Sequence, residues 1–335
     1  MLAFENGRLD ECVLSELSCA AEDAERADTA NDTDCGTRPG RRGPMRRFRS
    51  LSPLVAFELL FLLLLLFALF APSGLLAAEP PLEGTLSIPF EIRDNLITID
   101  VEVDGEVGGR VLPLMLDLGD FRAFSLSSAV LDSAGVEFTG GVDLFTNYAG
   151  TMLQARRFVA PSVRIAGRTW EGVEGSEDVY DPENPSPNPY GAVGRAFFAD
   201  ATLTLDYRNG RILVDESRPS ARRETGRTGE CVAFDPSGPI LVDAEIDGER
   251  HRLLVDSGAT HSILDESLFG ETETFSGYSA YRAHTLTLGD RVFEGQTFLR
   301  LPLGQPDFSG ILGYDFLSRT SPTLDLRSGC LYLNE

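Results

Sequence analysis

The chain has 335 residues, 29 of them basic and 52 acidic, for a formal net charge of −23. That balance excludes a nucleic-acid binder, which needs basic patches to displace counterions from phosphate. All 29 basic residues are arginine, so a Walker-type phosphate loop, a Schiff-base enzyme and a Ser-x-x-Lys acylase are excluded for want of a lysine. With 42% hydrophobic residues the chain can bury the core of one large or two modest domains. Lysine-free usage rich in Ala, Gly, Arg and Pro is associated with GC-rich, bacterial genomes.

In chain order, residues 1–44 are acidic, rich in Ala, Asp and Thr, and carry Cys12, Cys19 and Cys35. They are expected to form no fold: either a disordered extension, or an untranslated one with initiation at Met45. From Met45 the chain carries Arg46, Arg47 and Arg49, then an apolar run over 54–71 broken only by Glu58, then the small residues Ala77 and Ala78. Over 45–78 this is the layout of a signal peptide. The other reading is an uncleaved membrane anchor, since roughly 17–25 apolar residues cross a bilayer. In both, the basic flank keeps the N-terminus inside and the body is exported, periplasmic or extracellular, touching membrane only through 54–71.

Beyond residue 82, short apolar runs alternate with Gly, Asp-Gly and Pro turns, as in "LITIDVEVDGE", "ATLTLDYRNGRILVD" and "HTLTLGDRVFEG". These are strand and hairpin signals and predict an all-β body. Three blocks occur twice in the same order. "ITIDVEVDGE" (97–106) lies over "ILVDAEIDGE" (240–249), and "LMLDLGDFRAFSL" over "LLVDSGATHSILD", placing Asp117 on Asp256. "GAVGRAFFADATLTLDYRNGRILV" then lies over "GILGYDFLSRTSPTLDLRSGCLYL", placing Asp206 on Asp325. The copies span 82–215 and 230–335, joined by the polar, Pro/Gly/Arg-rich linker 216–229. Cys231 and Cys330, the two cysteines of the body, either pair in an oxidising compartment or stay separate buried thiols.

Apolar-apolar-Asp-Ser-Gly-Ala at 254–259, followed by "ILGYDFL" at 311–317, resembles the retropepsin-like aspartic peptidases. Two such copies in one chain resemble the two-lobed pepsin arrangement. The resemblance implies two pseudo-symmetric acid-protease-type β-barrel lobes, each small and closed, with Asp117 and Asp256 facing each other as a catalytic pair. Two such carboxylates share one proton and titrate as a unit. One activates a water and the other protonates the peptide carbonyl, so the implied activity is endopeptidase cleavage of a peptide or protein, without metal or cofactor. By the same resemblance Ser257 bonds across to the opposite loop. Gly258, Gly119 and Thr260 support the loops, and Ile311, Leu312 and Gly313 brace them from behind. A flap lies between each Asp motif and its brace, with Tyr148 the first candidate and Tyr278 the second. A monomer is expected; a homodimer working through two Asp256 residues is the alternative.

The first copy departs from the pattern. Leu118 replaces the hydroxyl residue and cannot bond across. Asp120 adds a third carboxylate, which raises the pair's proton affinity if it points inward. Ala196 stands where the second copy has Asp315. Such a lobe either works asymmetrically or is dead, leaving a peptide-binding or scaffold protein. The Pro/Asn-rich stretch 178–191 is a rim of the cleft or an insertion. His251, His261 and His284 show no metal-ligand spacing, no Gly-x-Ser-x-Gly elbow exists, and "GAVGR" and "GEVGGR" are too short for a dinucleotide fingerprint.

Overall fold

The computed structural model describes residues 84–103, 109–131, 134–179, 188–217, 230–270, 273–275 and 277–334. The expectations for 1–44, for the signal or anchor segment 45–78 and for most of the linker lie outside these residues. Among the described residues no helix is long and apolar enough to cross a membrane.

The described body is nearly all strand and forms two lobes. In Leu96–Val103 the residues Ile97, Ile99, Val101 and Val103 are buried on one side, as period-2 alternation requires. This strand pairs antiparallel with Arg110–Asp117, which runs parallel to Gly191–Gly194. Gly191–Gly194 pairs next with Phe124–Ser127, and that strand with Arg168–Asp178. Arg168–Asp178 pairs with Met152–Ile165, whose end returns to the starting strand at Val101↔Ile165. The ring is closed. Phe124 and Phe158 meet inside it edge-to-face, 6.2 Å between centroids. The strand Glu137–Thr146 hangs on the outside of Met152–Ile165, and the two form a long hairpin.

The second lobe repeats the order with Leu241–Ile246, Glu249–Val255, Gly310–Leu312 and Ile263–Asp265. Here the closure differs from the expectation of two closed barrels: the second sheet curls without forming a continuous ring. The strands matching Met152–Ile165 and Arg168–Asp178 are each split, into Tyr278–Arg282 with Thr285–Leu288, and Arg291–Glu294 with Thr297–Leu301. The cause is local. The Asp247 carboxylate accepts hydrogen bonds from the backbone N–H groups of His284 (3.2 Å) and Thr285 (2.8 Å), drawing the first break aside. Gly295, at φ 67°, makes the second, in a conformation that glycine adopts without strain.

A third, six-stranded sheet joins the lobes. Thr85–Pro89, Arg211–Asp215 and Thr202–Asp206 come from the first copy; Thr323–Asp325, Cys330–Tyr332 and Val232–Ala233 come from the second. The copies meet at Thr202↔Asp325, Leu203↔Leu324 and Thr204↔Thr323. Thr204 and Thr323 hold the same position in the repeat, so the local two-fold axis passes between them. Their hydroxyls are hydrogen-bonded at 2.9 Å. Cys231 and Cys330 form a disulfide, closing a loop of sequence separation 99 beside this sheet.

Candidate active site

Each Asp motif sits where a strand leaves the lobe interior. Asp117 ends Arg110–Asp117, opposite Gly194 of the brace strand. Asp256 follows Glu249–Val255, and its N–H donates to Leu312 O (3.0 Å). The chain then loops over the brace and returns as Phe124–Ser127 or Ile263–Asp265 on its other side. The crossing is tight: a Cβ on Gly313 would stand 2.8 Å from Ala259 O, and one on Gly194 2.9 Å from Asp120 O. Ile311 and Leu312 fill the space beneath, buried at 1% and 0% exposure.

The two loops bring Asp117 and Asp256 together, each carboxyl against the loop that carries the other. Each loop's glycine forms the seat of the other loop's carboxyl. A Cβ on Gly119 would stand 2.5 Å from Asp256 Cγ, and a Cβ on Gly258 2.7 Å from Asp117 Cγ. The sequence explains these glycines by the turn each must make; the crossed contact is a further requirement visible only once the lobes meet. Gly258 N–H donates to Asp256 Oδ1 at 2.7 Å, whereas on the other side it is Asp120 N–H that donates to Asp117 Oδ1, at 3.0 Å.

Ser257 is 2% exposed. Its hydroxyl donates to Leu116 O (2.7 Å) and accepts from Leu118 N–H (3.0 Å), pinning the second loop to the first. Leu118 turns into the core at 1% exposure and returns no such bond. Thr260 bonds its neighbour His261 (3.1 Å) and does not reach the cleft.

Burial raises the Asp117 carboxyl well above the usual carboxylate range, and the charges of Asp256 and Asp120 add to the rise. The Asp120 N–H acts against it. Asp120 itself is bound by Arg122, whose Nε lies 2.9 Å from both Asp120 oxygens and whose Nη2 lies 2.7 Å from Oδ2. Burial pushes the Arg122 guanidinium down, but Asp120 and Asp178 outweigh it and hold the group firmly charged. This arginine went unnoticed in the sequence, where Asp120 reads as a solitary charge.

Above the pair lies a cavity of about 450 Å³ between the lobes, lined among others by Phe145, Tyr148, Val179, Pro239 and Phe308. The hairpin of Glu137–Thr146 and Met152–Ile165 roofs it. Tyr148 at its tip packs against the second-lobe cluster of Leu254, Ala259, Ile263, Leu303 and Ile311. The tip is also tied down: Gly304 N–H donates to Tyr148 O (3.1 Å) and Gln305 Nε2 donates to Asn147 O. Neither Gly304 nor Gln305 stands out in the sequence. Tyr278 is placed elsewhere, beside the turn of the short hairpin Glu273–Phe275/Tyr278–Arg282, away from the cleft lining.

No family model and no curated protein matches the sequence. Among solved structures the chain is similar to the aspartic proteinase from Irpex lacteus: 12% identity, TM-score 0.49, covering 75% of this chain and 98% of that one.

Proposed function

We propose that the protein is an aspartic-type endopeptidase that cuts an extended peptide laid across the inter-lobe cleft. The observation that carries this reading is the crossed seating of Asp117 and Asp256, each carboxyl against the other loop's glycine. In this reading Asp117 holds the shared proton and Asp256 is the base. Asp256 removes a proton from a water whose oxygen bonds to the peptide carbonyl carbon, while Asp117 gives its proton to the carbonyl oxygen. The tetrahedral diol then collapses: Asp117 takes back a proton from one diol hydroxyl as the C=O bond reforms, and Asp256 gives its proton to the amine nitrogen as the C–N bond breaks, which returns the pair to its singly protonated state. Neither metal nor cofactor enters. One chain supplies both carboxyls, joined by the six-stranded sheet, so a monomer suffices and intramolecular pairing outcompetes a second copy. Export, with or without an anchor at 54–71, completes the reading.

Binding of a statine-type peptide, whose hydroxyl mimics the tetrahedral diol, tests the role of the pair. Calorimetry is expected to show tight binding by wild type and a loss of at least about 100-fold in Asp117→Asn and Asp256→Asn. Equal binding of the mimic and its deoxy analogue by all three proteins would favour the second class of reading, a peptide binder without chemistry.

A further inference from the structure

The two loops are held from behind by different devices. In the second lobe Asp315, in the first turn of the helix Tyr314–Thr320, takes the Ser262 N–H (2.6 Å) and hydroxyl (2.7 Å) on one oxygen. Its other oxygen takes Gln296 Nε2 (2.7 Å), and Arg319 bonds the Gln296 carbonyl. The repeat places Ala123 at the position of Ser262 and Ala196 at that of Asp315, so neither end of this device exists in the first lobe.

The first loop instead carries its own acid and its own cation. Asp120 stands where the second copy has Ala259, and Arg122 where it has His261. Asp120 Oδ1 accepts from Arg122 N–H (2.9 Å) as well as from the guanidinium, and Asp120 O accepts from Arg195 N–H (2.9 Å). Arg122 Nη1 donates to Glu177 O (3.2 Å), Nη2 lies 3.7 Å from Asp178, and the Phe145 ring lies 4.6 Å from the guanidinium carbon. One side chain thus ties the loop to the strand Arg168–Asp178 and to the flap hairpin. The edges of the guanidinium are occupied and the side chain is only 10% exposed, so it is not presented to a substrate carboxylate.

We propose that Asp120 and Arg122 are a positioning pair for Asp117: they replace the missing Asp315-type brace, and Arg122 cancels the Asp120 charge beside the catalytic carboxyls. This inference rests on the peptidase reading. It makes the first lobe rebuilt rather than degenerate. The charged groups facing Asp117 are Asp256, Asp120 and Arg122; those facing Arg122 are Asp120, Asp178 and Asp117. The Glu177 carboxylate is turned to Arg156 (2.8 Å) and Ser128 (2.7 Å) instead.

The test is a charge cycle in the full protein, read as kcat and KM against pH. Arg122→Gln leaves Asp120 uncompensated, so the proton on Asp117 is held more tightly. The alkaline limb is expected to move up by on the order of one pH unit, with kcat down at least tenfold and KM changed less. Asp120→Asn is expected to move the limb the opposite way. Arg122→Gln combined with Asp120→Asn returns it toward wild type, and Arg122→Lys keeps the limb in place while lowering kcat. A pair that only stabilises the fold would lower melting temperature without opposite shifts. If the single variants fail to fold, the double variant and Arg122→Lys carry the comparison. Titration of Asp117 by carbon NMR in the same proteins reads the shifts without turnover. An active wild type whose folded variants keep its profile overturns the pair's role alone; an inactive wild type whose Asp117 still shifts in opposite directions overturns the peptidase reading and leaves the pair.

Discussion

A methyl group on Gly119 or Gly258 has nowhere to go but into the opposite carboxyl, at 2.5 and 2.7 Å from its Cγ. Gly119→Ala and Gly258→Ala are therefore expected to lower kcat/KM at least tenfold, or about 1.4 kcal/mol of transition-state binding. Steady-state assay on protein of unchanged circular dichroism decides it, and retained wild-type kcat/KM would mean the loops spread freely. Asp117 links function to stability. Its folded-state proton affinity is raised, first by burial and then by the Asp256 charge. Between the ordinary carboxylate range and that raised value the folded state binds more protons than the unfolded, so this group lowers stability as pH climbs through the window. Asp117→Asn removes that cost. Its melting temperature is expected to exceed wild type at neutral pH, with the excess fading below about pH 4; a pH-independent difference in calorimetry would contradict the linkage. Leu118→Thr looks like the restoration of a cross-loop bond worth about 1 kcal/mol. The residue is, however, 1% exposed in the core, and shortening it costs roughly 2–3 kcal/mol. Thermal melts should show a net loss.

Among the elements, the hairpin over the cavity is tied at its tip by Gly304 and Gln305. Gln305→Ala removes one of its ties without touching Asp117 or Asp256. Stopped-flow binding of a peptide is expected to accelerate a few-fold while kcat stays within about twofold, because only opening is affected; unchanged association would show that the tie does not gate entry. The hairpin tip at Tyr148 was legible, since Tyr148 precedes Ala-Gly between the Asp motif and its brace. Its tie was not, because Gln305 and Asn147 are 158 residues apart and neither belongs to a repeated block. Tyr278, the second candidate, lies on a hairpin that pairs Glu273–Phe275 with 278–280 and stays clear of the cleft lining. The split strands of the second lobe were hidden too. The break between 278 and 288 comes where the Asp247 carboxylate takes the N–H groups of His284 and Thr285, a contact that no local pattern announces. Arg122 escaped for a related reason: a partner two residues from Asp120 has no periodic signature, and only the loop's curvature brings them together.

Across the chain as a whole the two-lobed all-β architecture was the most legible feature, because three blocks in one order constrain it more than any single motif. Its axis, between Thr204 and Thr323, follows from the sheet register. The Cys231–Cys330 pairing was left open by the sequence, as spacing alone does not place two Cα atoms within reach; the strands Val232–Ala233 and Cys330–Tyr332 do so, at 5.2 Å. In the chain-entropy account a disulfide closing a loop of separation 99 is worth roughly 4–5 kcal/mol. Cys231→Ser combined with Cys330→Ser is expected to lower the denaturation midpoint accordingly, and an unchanged midpoint would show that the sheet holds the lobes without it. In the proposed reading two lobes of one chain make a single aspartic active site. Cleavage of an unfolded protein from strongly acidic to neutral pH, with fragments read by mass spectrometry, tests it most directly. Wild type is expected to make internal cuts, with a loss on the order of 10³-fold in folded Asp117→Asn and Asp256→Asn. A folded wild type that cuts nothing at any pH, or Asn variants that cut as well as wild type, would contradict it.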